Sequence, residues 1–132
     1  MLNVLEYIVS VLKNDSQIQG YVGDRIFPTG VDITPEKSLF PIITFHTVTE
    51  TTRSAPKGAR DSVYQIDVFS ILSQFEIENI AERILTLLNF TKFNTGYGTI
   101  VLRWQRQDAG VDMYESDRRI WHKSLRLRSW VK

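Results

Sequence analysis

Cysteine is absent from this 132-residue chain, which excludes disulfides, zinc ribbons and thiol nucleophiles. Histidine is nearly so. His46 and His122 are the only two, they fall in different expected strands, and neither has Cys, Asp or Glu at metal-ligand spacing, so both read as ordinary sheet residues. The serines lie in no G-x-S-x-G elbow. Gly96-Tyr97-Gly98 leads into a strand rather than a helix, so no glycine-rich phosphate cradle is expected. No apolar run approaches the roughly 20 residues needed to span a bilayer. The start of the chain lacks the basic and small-residue pattern of a secretory leader, so cytoplasmic synthesis is the plain expectation. No cofactor or metal site is expected.

The remaining composition is that of one folded domain over 1–132, with 42% hydrophobic and 23% charged residues, enough to build a core. The net charge of +1 is unevenly spread. Residues 1–102 carry eight basic and eleven acidic side chains, whereas 103–132 carry eight and four. Such asymmetry suits a polyanion or an acidic partner, but a strand with one solvated basic face is the plainer reading.

The stretch from Val63 to Leu88 organises the chain. Val63–Phe69 alternates as a strand. Ser73-Gln74-Phe75-Glu76 follows, in the S-x-x-E form of a capping box, in which the hydroxyl and the carboxylate each take one orphan backbone N–H. Ile77, Ile80, Ala81, Ile84 and Leu88 then recur at helical spacing, a stripe that needs an apolar sheet face to cover it. Upstream, Leu2, Leu5, Ile8, Val9 and Leu12 predict a helix over 2–13. Asp15 or Ser16 can cap a short further turn, with Gly20 as its C′ residue. Ile26-Phe27-Pro28 can be an edge strand at most, since proline lacks a ladder donor. Thr29–Phe40 reads as a loop.

Ile42–Thr49 predicts a strand, with Ile43 and Phe45 on one face and Ile42, His46 and Val48 on the other. Thr51–Asp61, with Arg53, Lys57 and Arg60, is then an oversized, basic hairpin arm, because a tight hairpin needs only about two to five connecting residues. After a turn at Thr95–Gly98, Thr99–Arg106 reads as a strand broken at Gln107–Gly110. Asp112–Glu115 reads as an irregular link. The last strand, Arg118–Val131, presents Trp121, Leu125 and Leu127 on one face and Arg126, Arg128 and Trp130 on the other. Asp67 shares a face with Gln65, opposite Tyr64, Ile66 and Val68, and is expected to be solvated or at an interface. The sum is an α+β fold: a single, mainly antiparallel sheet, two helices packed on one face, and a long β-hairpin arm.

Several pieces, in order, resemble the phage tail completion, or tail terminator, proteins of long-tailed phages. They are Val22-Gly23-Asp24-Arg25-Ile26-Phe27-Pro28, Pro41-Ile42-Ile43-Thr44-Phe45 and Tyr64-Gln65-Ile66-Asp67-Val68-Phe69-Ser70. A helix with an Ala81-Glu82 centre follows, then Asp112-Met113-Tyr114-Glu115 and Ser124-Leu125-Arg126-Leu127-Arg128-Ser129-Trp130. The resemblance implies a non-enzymatic subunit of a six-membered ring at the head–tail junction of a virion. There it would stop the tail tube and meet the head connector while DNA passes through the lumen without specific binding. No membrane partner is implied. Arg53, Lys57 and Arg60 of the arm, and Arg126, Arg128 and Trp130 of the last strand, are the expected subunit or partner contacts, arginine and tryptophan being enriched at interfaces. A different class of reading is a sheet-based nucleic-acid-binding module using Trp104, Arg126, Arg128 and Trp130.

Overall fold

The computed structural model describes residues 4–30, 40–52, 60–95, 98–104 and 112–131. Three helices, α1 (Val4–Asn14), α2 (Ser16–Val22) and α3 (Gln74–Leu88), accompany seven strands. These are β1 (Ile26–Pro28), β2 (Ile42–Thr52), β3 (Arg60–Ser70), β4 (Lys92–Thr95), β5 (Gly98–Trp104), β6 (Met113–Glu115) and β7 (Ile120–Val131). They form one sheet in the order β1-β2-β3-β7-β5-β4, with β6 pairing the start of β7. Among the described residues only the short β1–β2 pair is parallel. The α+β expectation holds, and β1 is an edge strand as its proline requires.

All three helices bury their stripes against the same sheet face. Ile8 and Leu12 of α1, Ile18 and Val22 of α2, and Ile77, Ile80, Ala81, Ile84 and Leu88 of α3 share one core with Ile43, Ile66, Val68, Leu102, Leu125 and Leu127. Burial of this many aliphatic side chains, each worth about 1.5–3 kcal/mol, makes this face the main source of stability.

The helix ends show where local rules apply. Asp15 is the α2 N-cap, accepting from the Ile18 N–H at 3.0 Å. The same carboxylate takes a two-pronged contact from Arg83 of α3, at 2.6 and 3.1 Å, so one residue both starts α2 and ties it to α3. Gly20 lies inside α2 rather than after it. The helix instead ends at Gly23, whose φ of 56° suits glycine. Arg25 follows and donates to the carbonyls of Tyr21, Phe40 and Pro41, at 3.1, 3.4 and 2.9 Å. This holds the end of α2 against the start of β2.

The capping box of α3 forms by half. Ser73 accepts from the Glu76 N–H at 3.2 Å, but the Glu76 carboxylate accepts from the Ser70 hydroxyl at 2.6 Å instead of returning to the cap. Ser70 Oγ in turn accepts from the Leu72 N–H at 3.0 Å. A buried serine at the end of β3 thereby takes over the second half of the motif.

Two strands depart from expectation. Asp112–Glu115 is not an irregular link throughout: Met113, Tyr114 and Glu115 pair with His122, Trp121 and Ile120. The strand β4, for which the sequence carries no clear signal, pairs with β5 from Lys92↔Val101 to Thr95↔Gly98. Each is three or four residues long, and its partner rather than its own pattern defines it. The hairpin arm extends as paired strands to Thr52↔Arg60, with a register shift between Thr47 and Thr49. The arm's tip with Arg53 and Lys57, most of the expected loop 29–40, the centre of the turn at 95–98 and the break at 107–110 lie outside the described residues.

Candidate functional site

The face of the sheet away from the helices changes character along β3 and β7. At one end Ile42, Phe69 and Ile120 form a small buried cluster flanked by Phe27 and Phe40. In the middle stands Asp67. Beyond it lie Gln65↔Arg126 and Val63↔Arg128, and Arg128 pairs in turn with Arg103 of β5. Antiparallel register alone brings these residues together from positions about sixty apart in the chain.

Asp67 is the centre of a polar network. Its Oδ1 accepts from the Ser124 hydroxyl at 2.5 Å and contacts His122 Nε2 at 3.0 Å. Gln65 Nε2 donates to both carboxylate oxygens at 3.0 and 3.1 Å, and Gln65 Oε1 accepts from Arg126 Nε at 3.2 Å. Of the two expectations for Asp67, solvated or at an interface, the solvated one is therefore corrected. Alternation places Asp67 beside Gln65 as anticipated, yet the residue is only 5% exposed, because its neighbours close over it. Burial pushes its carboxyl upward, and hydrogen bonds from His122, Ser124 and Gln65 outweigh that and hold it below the ordinary carboxylate value.

Serine, histidine and aspartate meet here without the geometry of a hydrolytic relay. Such a relay needs the acid on one ring nitrogen and the hydroxyl on the other. Here Asp67 and Ser124 both approach His122 Nε2, at 3.0 and 3.3 Å, while Nδ1 is buried without a hydrogen-bond partner. The imidazole is also stacked on Phe69, with ring centroids 4.4 Å apart. These groups can rigidify the sheet and position Arg126; they do not present an activated nucleophile.

The expected contact residues divide. Arg126 and Arg128 lie on one face as alternation requires, together with Arg103, and Arg128 is exposed. Trp130 is described by its backbone, opposite Val101, and Arg60 by its backbone, opposite Thr52. Arg53 and Lys57 lie outside the described residues. The arginines near this face are held by partners: Arg126 by Gln65, Arg103 over the Phe90 ring at 5.8 Å, and Arg118 by Glu115 at 2.5 Å.

A second polar cluster, on the helix side, has no sequence signal beyond individual charges. Asp112 Oδ1 faces Lys123 Nζ at 3.0 Å, and its Oδ2 accepts from Gln74 at 2.9 Å. The neighbouring Glu78 carboxyl is pushed up by hydrogen bonding to Asp112. This cluster clamps the first turns of α3 to the β6–β7 hairpin. His46 pairs with Thr29 Oγ1 at 2.9 Å. Among the described residues no group of three His, Asp or Glu is placed to hold a metal ion.

One sheet, covered by helices on one side and carrying a buried apolar cluster, the Asp67 network and a group of arginines on the other, defines a small α+β scaffold. The chain belongs to the family of the tail completion protein gp17, which matches residues 6–132, so its class is that of structural proteins of phage tails. The resemblance read from the sequence motifs is thus borne out. Among solved structures the fold is similar to a chain of the virion of a native gene transfer agent (GTA) particle. The TM-score is 0.69 at 15% identity, covering 94% of this chain and 90% of that one. At that identity the likeness is one of fold. Comparison with curated proteins gives no match.

Proposed function

We propose that this tail protein acts as a terminator: a closed ring of identical subunits, six as the family resemblance implies, seated at the head–tail junction. One surface meets the last ring of the tail tube protein and another meets the head connector. The observation that carries this reading is the tail completion match over residues 6–132. The structure supplies means suited to it. A ring closes through heterologous contacts, which need two different surfaces on each subunit. The chain offers a hairpin arm that continues as paired strands to Thr52↔Arg60, and an open sheet face whose arginines are already held in position.

DNA crosses the lumen without a specific site in this reading. A tight basic grip would oppose passage, because every phosphate contact adds salt-dependent affinity. Arg126, Arg128 and Trp130, and Arg53, Lys57 and Arg60 of the arm, are assigned to protein contacts. Electron microscopy of tails assembled with and without the protein is the test. Its absence should give overlong or headless tails, and tails of normal length that join heads without it would refute the proposal. Removing 54–60 should leave the fold intact while abolishing joining. Binding to DNA at two salt concentrations checks the partner class, since salt-sensitive micromolar binding would instead support a nucleic-acid module.

A further inference from the structure

The buried carboxylate of Asp67 has an effect at the surface. A carboxylate can only accept hydrogen bonds. Gln65 therefore turns its amide nitrogen toward Asp67, where Nε2 meets both oxygens at 3.0 and 3.1 Å, and its amide oxygen faces the other way. That oxygen accepts from Arg126 Nε at 3.2 Å. The guanidinium is thus held by its inner nitrogen, and among the described residues nothing pairs with its terminal nitrogens Nη1 and Nη2. Those two groups form the planar fork that matches the paired oxygens of a carboxylate.

Two further guanidinium groups stand beside it. Arg128 lies two residues along β7 on the same face, about 7 Å away, and Arg103 is directly opposite Arg128 on β5. Both are exposed, and Arg103 is carried over the Phe90 ring at 5.8 Å. Phe90 is itself 63% exposed and has a φ of 59°, a conformation that a bulky side chain adopts at a cost. Its ring adds little to the core and helps to place Arg103.

Three guanidinium groups so placed call for anions at matching spacing. In an extended peptide, side chains two residues apart share a face and lie about 6.6–7 Å from each other, which is the Arg126–Arg128 separation. Duplex DNA suits the face less well. Proteins that hold it draw on about 6–10 phosphate contacts and a strongly basic surface, whereas this chain has a net charge of only +1.

We infer that the open face captures an extended acidic segment of a tail partner, with carboxylates at positions i and i+2. The Arg126 fork holds the first, and Arg128 and Arg103 hold the second. Asp67 is the positioning residue that aims Arg126 through Gln65. This rests on the reading of that face as a protein contact and names the chemistry of the partner.

NMR titration of the full-length protein with a short peptide of alternating Asp and Ser tests the site, because arginine side-chain N–H signals report even weak binding. The Arg126 Nε–H signal should shift, and the same peptide with Asn in place of Asp should move nothing. Arg126→Lys keeps the charge but has no inner nitrogen to be held. It should weaken binding about tenfold, the worth of one charge-assisted hydrogen bond. Gln65→Met removes the amide oxygen without touching the buried acid and should weaken binding by a similar factor. Asp67→Asn should weaken it less, since Gln65 can then turn its amide either way; thermal melts check that each variant is folded. Undiminished binding by Arg126→Lys would show attraction by charge alone and overturn the proposal. Duplex DNA that shifts the same signals at lower concentration than the peptide would overturn it too, making the face a nucleic-acid surface. A peptide that moves no signal, in a protein still needed for joining tails to heads, would remove this site and leave the terminator reading standing. Peptide capture by a protein whose absence leaves joining intact would keep the site and remove that reading.

Discussion

The two faces of the sheet are built from the same strands, residue by residue in alternation, and yet they rely on different physics. On β3, Tyr64, Ile66 and Val68 point to the helices and are buried in an apolar core. Their neighbours Gln65 and Asp67 point the other way and are held by hydrogen bonds. Apolar burial is non-directional and tolerates repacking. A buried polar network depends on geometry, because a missing partner leaves an unsatisfied group. The helix face therefore sets how stable the sheet is, and the open face sets how its surface groups are arranged.

Deleting side chains on each face sharpens that contrast. Ile66→Ala opens a cavity in the core that the helices share with the sheet and should cost ~2–5 kcal/mol in urea denaturation. Asp67→Ala strands His122, Ser124 and Gln65 and should cost ~1–3 kcal/mol near neutral pH. Its effect should also depend on acidity. The folded carboxyl titrates below the ordinary 3.8, so its stabilisation is fully present above that value and is lost as pH falls through the lower folded value. The gap between wild type and Asp67→Ala should narrow in that window. A gap of constant size down to the acid transition would show that the carboxylate's charge is not what the network uses.

Within the helix layer, Asp15→Ala removes the α2 cap and the anchor of Arg83. It should lower stability by ~0.5–2 kcal/mol, and, since Arg83 holds the Asp15 carboxyl down, this loss too should shrink at low pH. Gly20→Ala acts in the opposite direction. Nothing lies within 4 Å of an added Cβ, and the residue is helical, so thermal unfolding should show a gain of ~0.4–1 kcal/mol. Arg128→Ala, on the open face and exposed, should move stability by no more than ~0.5 kcal/mol while weakening assembly. If it unfolded the protein, the division of labour between the faces would be wrong.

Elements with their own periodicity were legible in the sequence. The α3 stripe, the alternation of β2, β3, β5 and β7, and the proline that confines β1 to an edge all carry their signal locally. Elements defined by a partner were not. β4 and β6 are too short for a pattern, and Gly20 resembles a helix terminator until Gly23 is seen to take the positive φ. The same limit applies to the candidate surface. Alternation placed Arg126 and Arg128 on one face, because strand parity is a local property, whereas Arg103 joins them only through the β5–β7 pairing. It could not show that His122 and Ser124 close over Asp67, since that requires knowing that β7 lies beside β3 with Asp67 opposite Ser124. Nor could the Glu76 carboxylate's choice of Ser70 over the cap be anticipated from S-x-x-E alone.

The Arg25 side chain has a practical corollary. By gripping Tyr21, Phe40 and Pro41 at once, and with the Thr29 N–H bonded to the Phe45 carbonyl at 3.0 Å, the protein secures both banks of the segment between Gly30 and Phe40. That segment becomes a socket for engineering. A peptide tag or small reporter spliced in there should leave the melting temperature of the host nearly unchanged, giving a handle for locating the subunit in an intact particle.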